Sequence, residues 1–211
     1  MLKIWGRANS INVQKVTWVC EEMGLFYDRV DAGMHFGVVD TPEYRELNPN
    51  SLVPTIDDDG FVLWESNAIV RYLAQKYGAQ DGPNSLWPED PQTRASADRW
   101  MDWQQTTLWM RGLREVFWTL VRTPPDERDA AALESARLET VAHLQVVENA
   151  LAGQEYLCGD DFTIADIPVG CSIHRWFGIE IARPASPMLE AYYRRLSERP
   201  AYRLIVLQPL T

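Results

Sequence analysis

The chain has 211 residues, a formal net charge of −10, 46% hydrophobic residues and 24% charged residues, a composition typical of soluble globular proteins. This acidic balance argues against nucleic acid as the main partner, because binding to phosphates requires a basic surface. No apolar run reaches the ~18 residues that a membrane span requires, so we expect no membrane partner either.

The first 80 residues alternate between strand and helix patterns. The predicted elements are, in chain order, a strand at 2–5, a helix at 12–24, a strand at 27–30, a short helix at 42–47, a hairpin of 54–56 with 61–64, and a helix at 66–77. This β-α-β-α-β-β-α order predicts a small α+β domain over residues 1–80.

Residues 81–91 contain three prolines and a glycine, which predicts a linker. Residues 92–211 then carry only helical patterns and predict an all-helical domain. The expected helices run over 92–121, 127–151 with Asp126 as cap, 164–177, 187–198 and a final turn at 200–207. Thr163 and Asp166 have the spacing of a capping box, in which each side chain binds the other residue's backbone N–H.

Three motifs give the chain a family resemblance. They are Asn48-Pro-Asn-Ser-Leu-Val-Pro54, Glu65-Ser-Asn-Ala-Ile-Val-Arg-Tyr-Leu73 and Gly159-Asp-Asp-Phe-Thr-Ile-Ala-Asp166. In this order and at these separations they resemble the cytosolic glutathione S-transferases, and the chain looks most like bacterial theta-, nu- and beta-like members. The resemblance implies a thioredoxin-like N-terminal domain that binds glutathione and a C-terminal helical-bundle domain that supplies the pocket for a second substrate.

The same resemblance implies the activity. It is the conjugation of glutathione to small electrophiles in detoxification, by a cytoplasmic homodimer with glutathione as co-substrate and with no cofactor or metal. The chain begins directly with a strand and lacks a signal peptide, which also favours the cytoplasm. Three cysteines, an odd number with no zinc spacing, give no disulfide framework and no metal site.

The resemblance assigns the glutathione-binding residues. Pro54 matches a cis-proline, so the backbone of Val53 is expected to pair with the cysteinyl part of glutathione. Glu65 and Ser66 match the pair that holds the γ-glutamyl end: the acid pairs with the ammonium, and the hydroxyl and helix N-terminus hold the carboxylate. A purely structural alternative makes Ser66 a helix cap beside an exposed acid. His35, in the loop after the second strand, is a candidate for the glycyl carboxylate, with an exposed loop residue as the alternative.

The thiol of glutathione must be activated, since a thiol with a pKa near ~8.5 is mostly protonated at pH 7. The family places the hydrogen-bond donor between the first strand and the first helix. Ser10 is the first choice there and Asn12 the second, although Asn12 also suits a helix cap. Cys20 lies within the predicted helix and is expected to pack in the core.

The resemblance also places the electrophile pocket on the long helix after the linker. The candidates from that helix are Trp103, Thr107, Met110 and Arg111, although an aromatic stripe at helical spacing is more often core. Two other functions remain open at this point. One is glutathione-dependent disulfide or peroxide reduction or dehalogenation, and the other is a non-catalytic glutathione-binding interaction module.

Overall fold

The computed structural model describes residues 1–78 and 86–211, which divide into two compact units, Met1–Trp87 and Pro88–Thr211. The predicted linker, 81–91, falls partly on residues 79–85, which lie outside the described residues. Its boundaries therefore remain a prediction. Within the second unit, the first helix already begins at Pro91, with the Asp90 carboxylate accepting a hydrogen bond from the Thr93 N–H at 2.8 Å.

The first unit has the order of elements that the sequence predicts. They are β1 (Leu2–Trp5), α1 (Ile11–Glu22), β2 (Tyr27–Val30), α2 (Pro42–Leu47), β3 (Thr55–Asp58), β4 (Phe61–Trp64) and α3 (Ser66–Tyr77). The strands form one sheet in the order β2-β1-β3-β4, with β2 parallel to β1 and the other two pairs antiparallel. Pro54 precedes β3 rather than belonging to it, because proline has no N–H to donate to the ladder.

A two-residue turn closes the predicted hairpin. Asp59 and Gly60 both have left-handed φ angles, 52° and 93°. Such turns match the twist of the flanking strands. The Gly60 N–H also donates to Asp57 Oδ1 at 2.7 Å, which satisfies one donor of the turn. The hairpin therefore fixes the register of β3 against β4, with Thr55 opposite Trp64 next to the start of α3.

The core of the first unit lies between the sheet and helices α1 and α3. Ile4, Val16, Ile56 and Ile69, one from each of β1, α1, β3 and α3, have no exposed surface. Cys20 is also fully buried, as predicted, and burial raises the pKa of its thiol to about 12. It is therefore an apolar packing residue rather than a nucleophile.

A buried carboxylate joins the end of β3 to the end of α3. The Asp58 side chain is 1% exposed and accepts hydrogen bonds from Lys76 Nζ, Tyr72 Oη and Tyr77 Oη, each at 2.7 Å. Burial opposes ionisation of Asp58, but these three donors outweigh it and hold the pKa of the carboxyl below its ordinary value. The cluster thus attaches the last turn of α3 to the sheet.

In the described residues of the second unit, the regular elements are helices, and one isolated β-bridge pairs Tyr156 with Gly159. Its α-helices are α4 (Pro91–Trp103), α5 (Arg114–Phe117), α6 (Ala130–Ala150), α7 (Asp166–Gly178), α8 (Pro187–Glu198) and α9 (Pro200–Ile205). Segments with wider, π-type hydrogen bonding flank α5 at Gln104–Leu113 and Trp118–Arg122. None of the helices in 1–78 or 86–211 combines the length and apolar character needed to cross a bilayer.

The prediction of one uninterrupted helix over 92–121 is wrong. The helix kinks at Arg111 (φ −103°, ψ 18°) and Gly112 (φ 172°, ψ −62°). At this kink the helix approaches α6 closely. A Cβ on Gly112 would lie 2.7 Å from Thr140 Oγ1 and 3.0 Å from the Ala136 carbonyl oxygen, which leaves no room for a side chain.

Capping residues define the ends of two helices. The prediction of Asp126 as the cap of α6 is wrong, because a 3₁₀ turn at Pro125–Glu127 precedes the helix. The cap is Asp129, whose Oδ1 accepts hydrogen bonds from the N–H groups of Ala131 and Ala132. Only half of the predicted box at Thr163 and Asp166 is present. The Thr163 N–H donates to Asp166 Oδ2 at 2.9 Å, but Thr163 Oγ1 accepts from the Ala165 N–H, and the Asp166 N–H donates to the Thr163 carbonyl. Asp166 is fully buried, which raises the pKa of its carboxyl to about 6.

We expect Asp58→Asn to lower the free energy of unfolding by about 1–3 kcal/mol at pH 7, because it replaces a buried anion that three donors bind. The folded-state pKa of Asp58 is lowered, so its stabilisation is present above the unfolded pKa and is lost as pH falls through the folded value. The difference between the two proteins should therefore shrink below about pH 4. Urea unfolding at both pH values measures this.

The exposed Asp28 of β2 provides the matched control. Asp28→Asn should change the unfolding free energy by less than about 0.5 kcal/mol. If Asp58→Asn has the same small effect, or if its effect does not depend on pH, the cluster does not stabilise the fold in this way.

Candidate functional site

The first unit contains a cleft beside the start of β3 and the start of α3. Its lining comes from α1, from the segment after α2 and from the β4–α3 junction. The lining residues are Asn12, Asn48, Asn50, Leu52, Val53, Pro54, Trp64, Glu65 and Ser66. Five of the predicted site residues, from three separate stretches of sequence, thus lie in one cleft.

The Val53–Pro54 peptide bond is cis, as the resemblance implies. Val53 is half-buried, and its side chain packs against the small cluster of Ala32, Val39 and Tyr44. Within residues 1–78 and 86–211, its backbone N–H and C=O have no hydrogen-bond partner. Val53 therefore presents a free donor and a free acceptor at the cleft, next to a strand.

Ser66 and Asn12 connect the two helices at the cleft. The Ser66 hydroxyl donates to Asn12 Oδ1 at 3.3 Å, and Ser66 is only 3% exposed. Ser66 is the first residue of α3, while Glu65 takes the cap position, so the interpretation of Ser66 as the helix cap is wrong. The interpretation of Asn12 as a cap is also wrong, because Ser10 occupies that position and α1 begins at Ile11.

Glu65 has an unusual backbone conformation. Its φ of 74° and ψ of 109° are rare for a residue with a side chain, and the side chain is exposed at the cleft. Conformations of this kind cost about 1–3 kcal/mol and persist where the surrounding structure enforces them. The Glu65 carbonyl nevertheless accepts from the Ile69 N–H at 2.9 Å, so α3 starts normally after it. This conformation places the Glu65 carboxylate beside the N-terminus of α3.

Two other candidates of the first unit do not line the cleft. Ser10 is 7% exposed at the cap position of α1, and its hydroxyl makes no capping hydrogen bond to that helix. His35 is exposed in a 3₁₀ turn at Met34–Phe36, with its ring 4.0 Å from that of Phe36. The roles proposed for Ser10 and His35 remain predictions.

The electrophile-pocket candidates all belong to the second unit. Trp103 is half-buried, with its ring edge-on to Trp100 at 5.2 Å and to His143 at 6.4 Å. The other three are Thr107, which is half-buried, Met110, which is 57% exposed, and Arg111, which is exposed at the kink. Their role in a pocket remains a prediction.

Sequence reasoning did not assign four residues of the cleft, Asn48, Asn50, Leu52 and Trp64. Asn48, Asn50 and Leu52 lie within the motif that carried the resemblance, but only its last two residues were given a role. Arg7, which does not line the cleft, lies close to Gly33. A Cβ on Gly33, where φ is +85°, would lie 3.1 Å from Arg7 Nη1 and 3.5 Å from Val53 Cγ1, so this glycine lets a guanidinium come near the Val53 side chain.

The chemistry of the cleft is that of a polar binding site. Its lining offers amide groups, a hydroxyl, a carboxylate and a helix N-terminus, but it includes no cysteine. In the part of the chain that the structure describes, no three His, Cys, Asp or Glu side chains come together as a metal site. The free backbone of Val53 adds an edge on which an extended peptide can pair.

Comparison with known proteins places the chain in a family. The N-terminal domain of the glutathione S-transferases matches residues 9–76, and their C-terminal domain matches residues 111–200. Glutathione S-transferase GstB of Escherichia coli (strain K12) is 40% identical over 213 residues, which is 100% of both chains. Glutathione S-transferase 3 of Zea mays is 32% identical over 216 residues, covering 97% of this chain and 93% of that protein.

A solved structure agrees with these sequence matches. The theta class glutathione S-transferase of the citrus canker pathogen Xanthomonas axonopodis pv. citri, with glutathione bound, superposes with a TM-score of 0.94. It is 48% identical and covers 100% of this chain and 99% of its own. The fold is thus a thioredoxin-like domain, which contains the cleft, followed by a helical domain. The chain belongs to the glutathione S-transferase family, and both the predicted family and the predicted fold class are confirmed.

The backbone of Glu65 gives a prediction about stability. We expect Glu65→Gly to be more stable than Glu65→Ala by about 1 kcal/mol, because glycine tolerates a positive φ that alanine does not. Both variants lose the same carboxylate, so the comparison isolates the backbone. Urea unfolding of the two proteins measures the difference. An alanine variant as stable as the glycine variant would show that this conformation is not strained.

Proposed function

We propose that this protein is a glutathione transferase in which the cleft binds glutathione and directs its thiolate to a small electrophile. The observation that supports this most is the cleft itself, in which Asn12, Val53, the cis Pro54, Glu65 and Ser66 meet. Family membership and the similarity to a glutathione-bound bacterial relative point to the same ligand. Catalysis would consist mainly of thiolate stabilisation and proximity.

The β4–α3 junction would hold the γ-glutamyl end of glutathione. This end carries both an ammonium and a carboxylate. The Glu65 carboxylate is exposed at the cleft and suits the ammonium, while the N-terminus of α3 suits the carboxylate. The Ser66 hydroxyl, which donates its one hydrogen to Asn12 Oδ1 in this structure, would turn that hydrogen to the carboxylate. The positive end of the helix dipole stabilises an anion at this position. The strained backbone of Glu65 would have a function in binding, because it brings the carboxylate of Glu65 beside that helix N-terminus.

The backbone of Val53 would hold the middle of glutathione. Its free N–H and C=O lie in line with β3 and can pair with the N–H and C=O of the cysteinyl residue, as in the addition of a strand to a sheet. This contact involves only backbone atoms, so it fixes the register of the tripeptide. The thiol would be bound by other groups, at the start of α1.

Asn12 is the residue that we propose to stabilise the thiolate. Its Oδ1 accepts from Ser66, which leaves the Nδ2 group as a donor at the cleft. A donor to the thiolate lowers the pKa of the thiol and raises the fraction that can attack at pH 7. Ser10 remains the alternative, since it precedes the N-terminus of α1 and its hydroxyl does not cap that helix.

The remaining assignments extend the proposal to the rest of the reaction. His35 would bind the glycyl carboxylate, and Trp103, Thr107, Met110 and Arg111 would line the pocket for the electrophile. No cofactor takes part in this chemistry, because the nucleophile comes from glutathione. We further propose that the protein is a homodimer that acts in the cytoplasm.

The first test is glutathione binding by calorimetry, together with conjugation to an electron-poor aryl chloride. We expect the unmodified protein to bind glutathione and to form the conjugate. Ser66→Ala should weaken binding about 10- to 100-fold, because a buried hydrogen bond to a charged group contributes about 1.5–3 kcal/mol.

Ser135→Ala is the matched control, since Ser135 is exposed on α6, in the second unit. It should bind glutathione as the unmodified protein does. An unmodified protein that neither binds glutathione nor forms the conjugate would overturn the proposed function. Normal binding by Ser66→Ala would overturn only the role of Ser66.

A second experiment separates the two candidate activators. We expect Asn12→Ala to raise the pKa of the bound thiol by about one to two units, because it removes a hydrogen bond to the thiolate. Ser10→Ala should leave that pKa unchanged. The ultraviolet absorbance of the bound thiolate, followed as a function of pH, measures both values.

Asn12 also contacts Ser66, so Ser66→Ala serves here as the control for an indirect effect. With glutathione at saturation, this variant should keep the thiol pKa of the unmodified protein. A raised pKa in Ser10→Ala together with a normal pKa in Asn12→Ala would transfer the role to Ser10.

A further inference from the structure

A closed hydrogen-bond ring surrounds the Val53–Pro54 bend. It consists of Tyr44, Asn48 and Thr55 together with the Leu52 carbonyl, and we call it the bend ring. We propose that Tyr44, Asn48 and Thr55 are positioning residues that hold Val53 in place for glutathione. This inference rests on the proposed function and assigns a role to three residues that do not themselves act on the thiol.

The bend ring forms hydrogen bonds to the chain on both sides of the Val53–Pro54 bond. On the near side, the Leu52 carbonyl accepts from Tyr44 Oη at 2.6 Å and from Asn48 Nδ2 at 3.0 Å. On the far side, Thr55 Oγ1 is 2.8 Å from Tyr44 Oη and 3.0 Å from Asn48 Nδ2. The two residues between these anchors, Val53 and Pro54, both line the cleft.

The number of donor hydrogens determines which group donates in each hydrogen bond of the bend ring. The Tyr44 hydroxyl has a single hydrogen, and it goes to the Leu52 carbonyl, so Thr55 must donate to Tyr44 Oη. Thr55 Oγ1 in turn accepts from Asn48 Nδ2, whose other hydrogen goes to the Leu52 carbonyl. Each donor therefore has its own acceptor, and removing one hydroxyl leaves another member unpaired.

Asn48 shows why the role is positioning rather than ligand binding. Both of its Nδ2 hydrogens are used within the ring, and its Oδ1 accepts from the N–H and from Nδ2 of Asn50 at 3.0 and 3.1 Å. With two donors and two acceptor positions occupied, its amide has no hydrogen bond left for a ligand. Asn48 lines the cleft, yet it acts by fixing Leu52, Thr55 and Asn50.

Because the bend ring is buried, water cannot easily replace a lost hydrogen-bond partner in it. Tyr44 and Asn48 are each 2% exposed, and Thr55 is fully buried. The short helix α2 supplies Tyr44, and Asn48 is its C-cap, with the Asn48 N–H donating to the Tyr44 carbonyl at 2.8 Å. An unsatisfied group in such a place costs about 1–3 kcal/mol, so a broken ring should move the bend to find other partners.

The experiment compares two substitutions of Thr55. Thr55→Val keeps the shape of the side chain but removes the hydroxyl, whereas Thr55→Ser keeps the hydroxyl. We expect Thr55→Val and Tyr44→Phe each to raise the glutathione Kd about tenfold, the equivalent of about 1.4 kcal/mol. Thr55→Ser should bind within about twofold of the unmodified protein. With glutathione at saturation, kcat and the thiol pKa should not change in any of them, because the ring does not touch the thiol.

Two controls separate positioning from general stability. Tyr27→Phe removes another part-buried hydroxyl of the same unit, which donates to Glu21 rather than to the bend, and it should keep the normal Kd. The double variant Tyr44→Phe with Thr55→Val should bind little worse than either single variant, because one loss already opens the ring.

Each outcome decides the inference. If Thr55→Val and Tyr44→Phe bind glutathione normally while the unmodified protein binds it too, the inference fails and the proposed function stands. It also fails if Thr55→Ser loses as much affinity as Thr55→Val, or if kcat falls while Kd stays constant. An unmodified protein that does not bind glutathione overturns the proposed function and this inference together.

Discussion

The ionised carboxylate of Asp58 is the interaction on which the geometry of the first unit depends. β3 begins beside the cleft and ends at Asp58, while α3 begins at the cleft with Ser66 and ends with Lys76 and Tyr77. The hydrogen bonds to Asp58 therefore join the two elements at the end away from the cleft. At the cleft end, Thr55 of β3 pairs with Trp64 of β4, and β4 leads through Glu65 into Ser66. Contacts at both ends thus fix the position of Ser66 relative to Val53.

This arrangement separates the groups that bind from the groups that hold them. Ser66, Glu65 and the free backbone of Val53 face the cleft, whereas Asp58 and the bend ring have their polar groups bound within the protein. A ligand that meets an already fixed backbone loses less free energy to ordering than one that must organise a flexible loop. In the proposed function, the buried polar groups of this unit would serve binding without contacting the ligand.

Much of the fold could be predicted from the sequence, because local patterns determine it. The strands at 2–5, 27–30 and 61–64 and the helices at 42–47 and 66–77 lie where periodicity placed them. The kink at Gly112 could not be predicted. A single glycine within a helical pattern is tolerated, and the contact that requires a glycine at this kink comes from α6, which no local pattern identifies.

The candidate site follows the same division. Pro54, Glu65 and Ser66 could be located because they stand within continuous motifs. Tyr44 could not, since its function depends on a hydrogen bond to a carbonyl eight residues away, and a tyrosine on a short amphipathic helix otherwise suggests core packing. The cap positions of α1 and α3 were each displaced, by two residues and by one, because several polar residues near a helix start are equally good caps.

The link between Asn12 and Ser66 connects the two halves of the proposed chemistry. Ser66 would hold the γ-glutamyl end of glutathione and Asn12 the thiol, and a single hydrogen bond joins their side chains. Because Asn12 Oδ1 accepts this bond, the amide is oriented with its donor side toward the cleft. Recognition of one end of the tripeptide and activation of its sulfur would therefore start from a shared geometry, although the residues that provide them lie more than 50 positions apart in the chain.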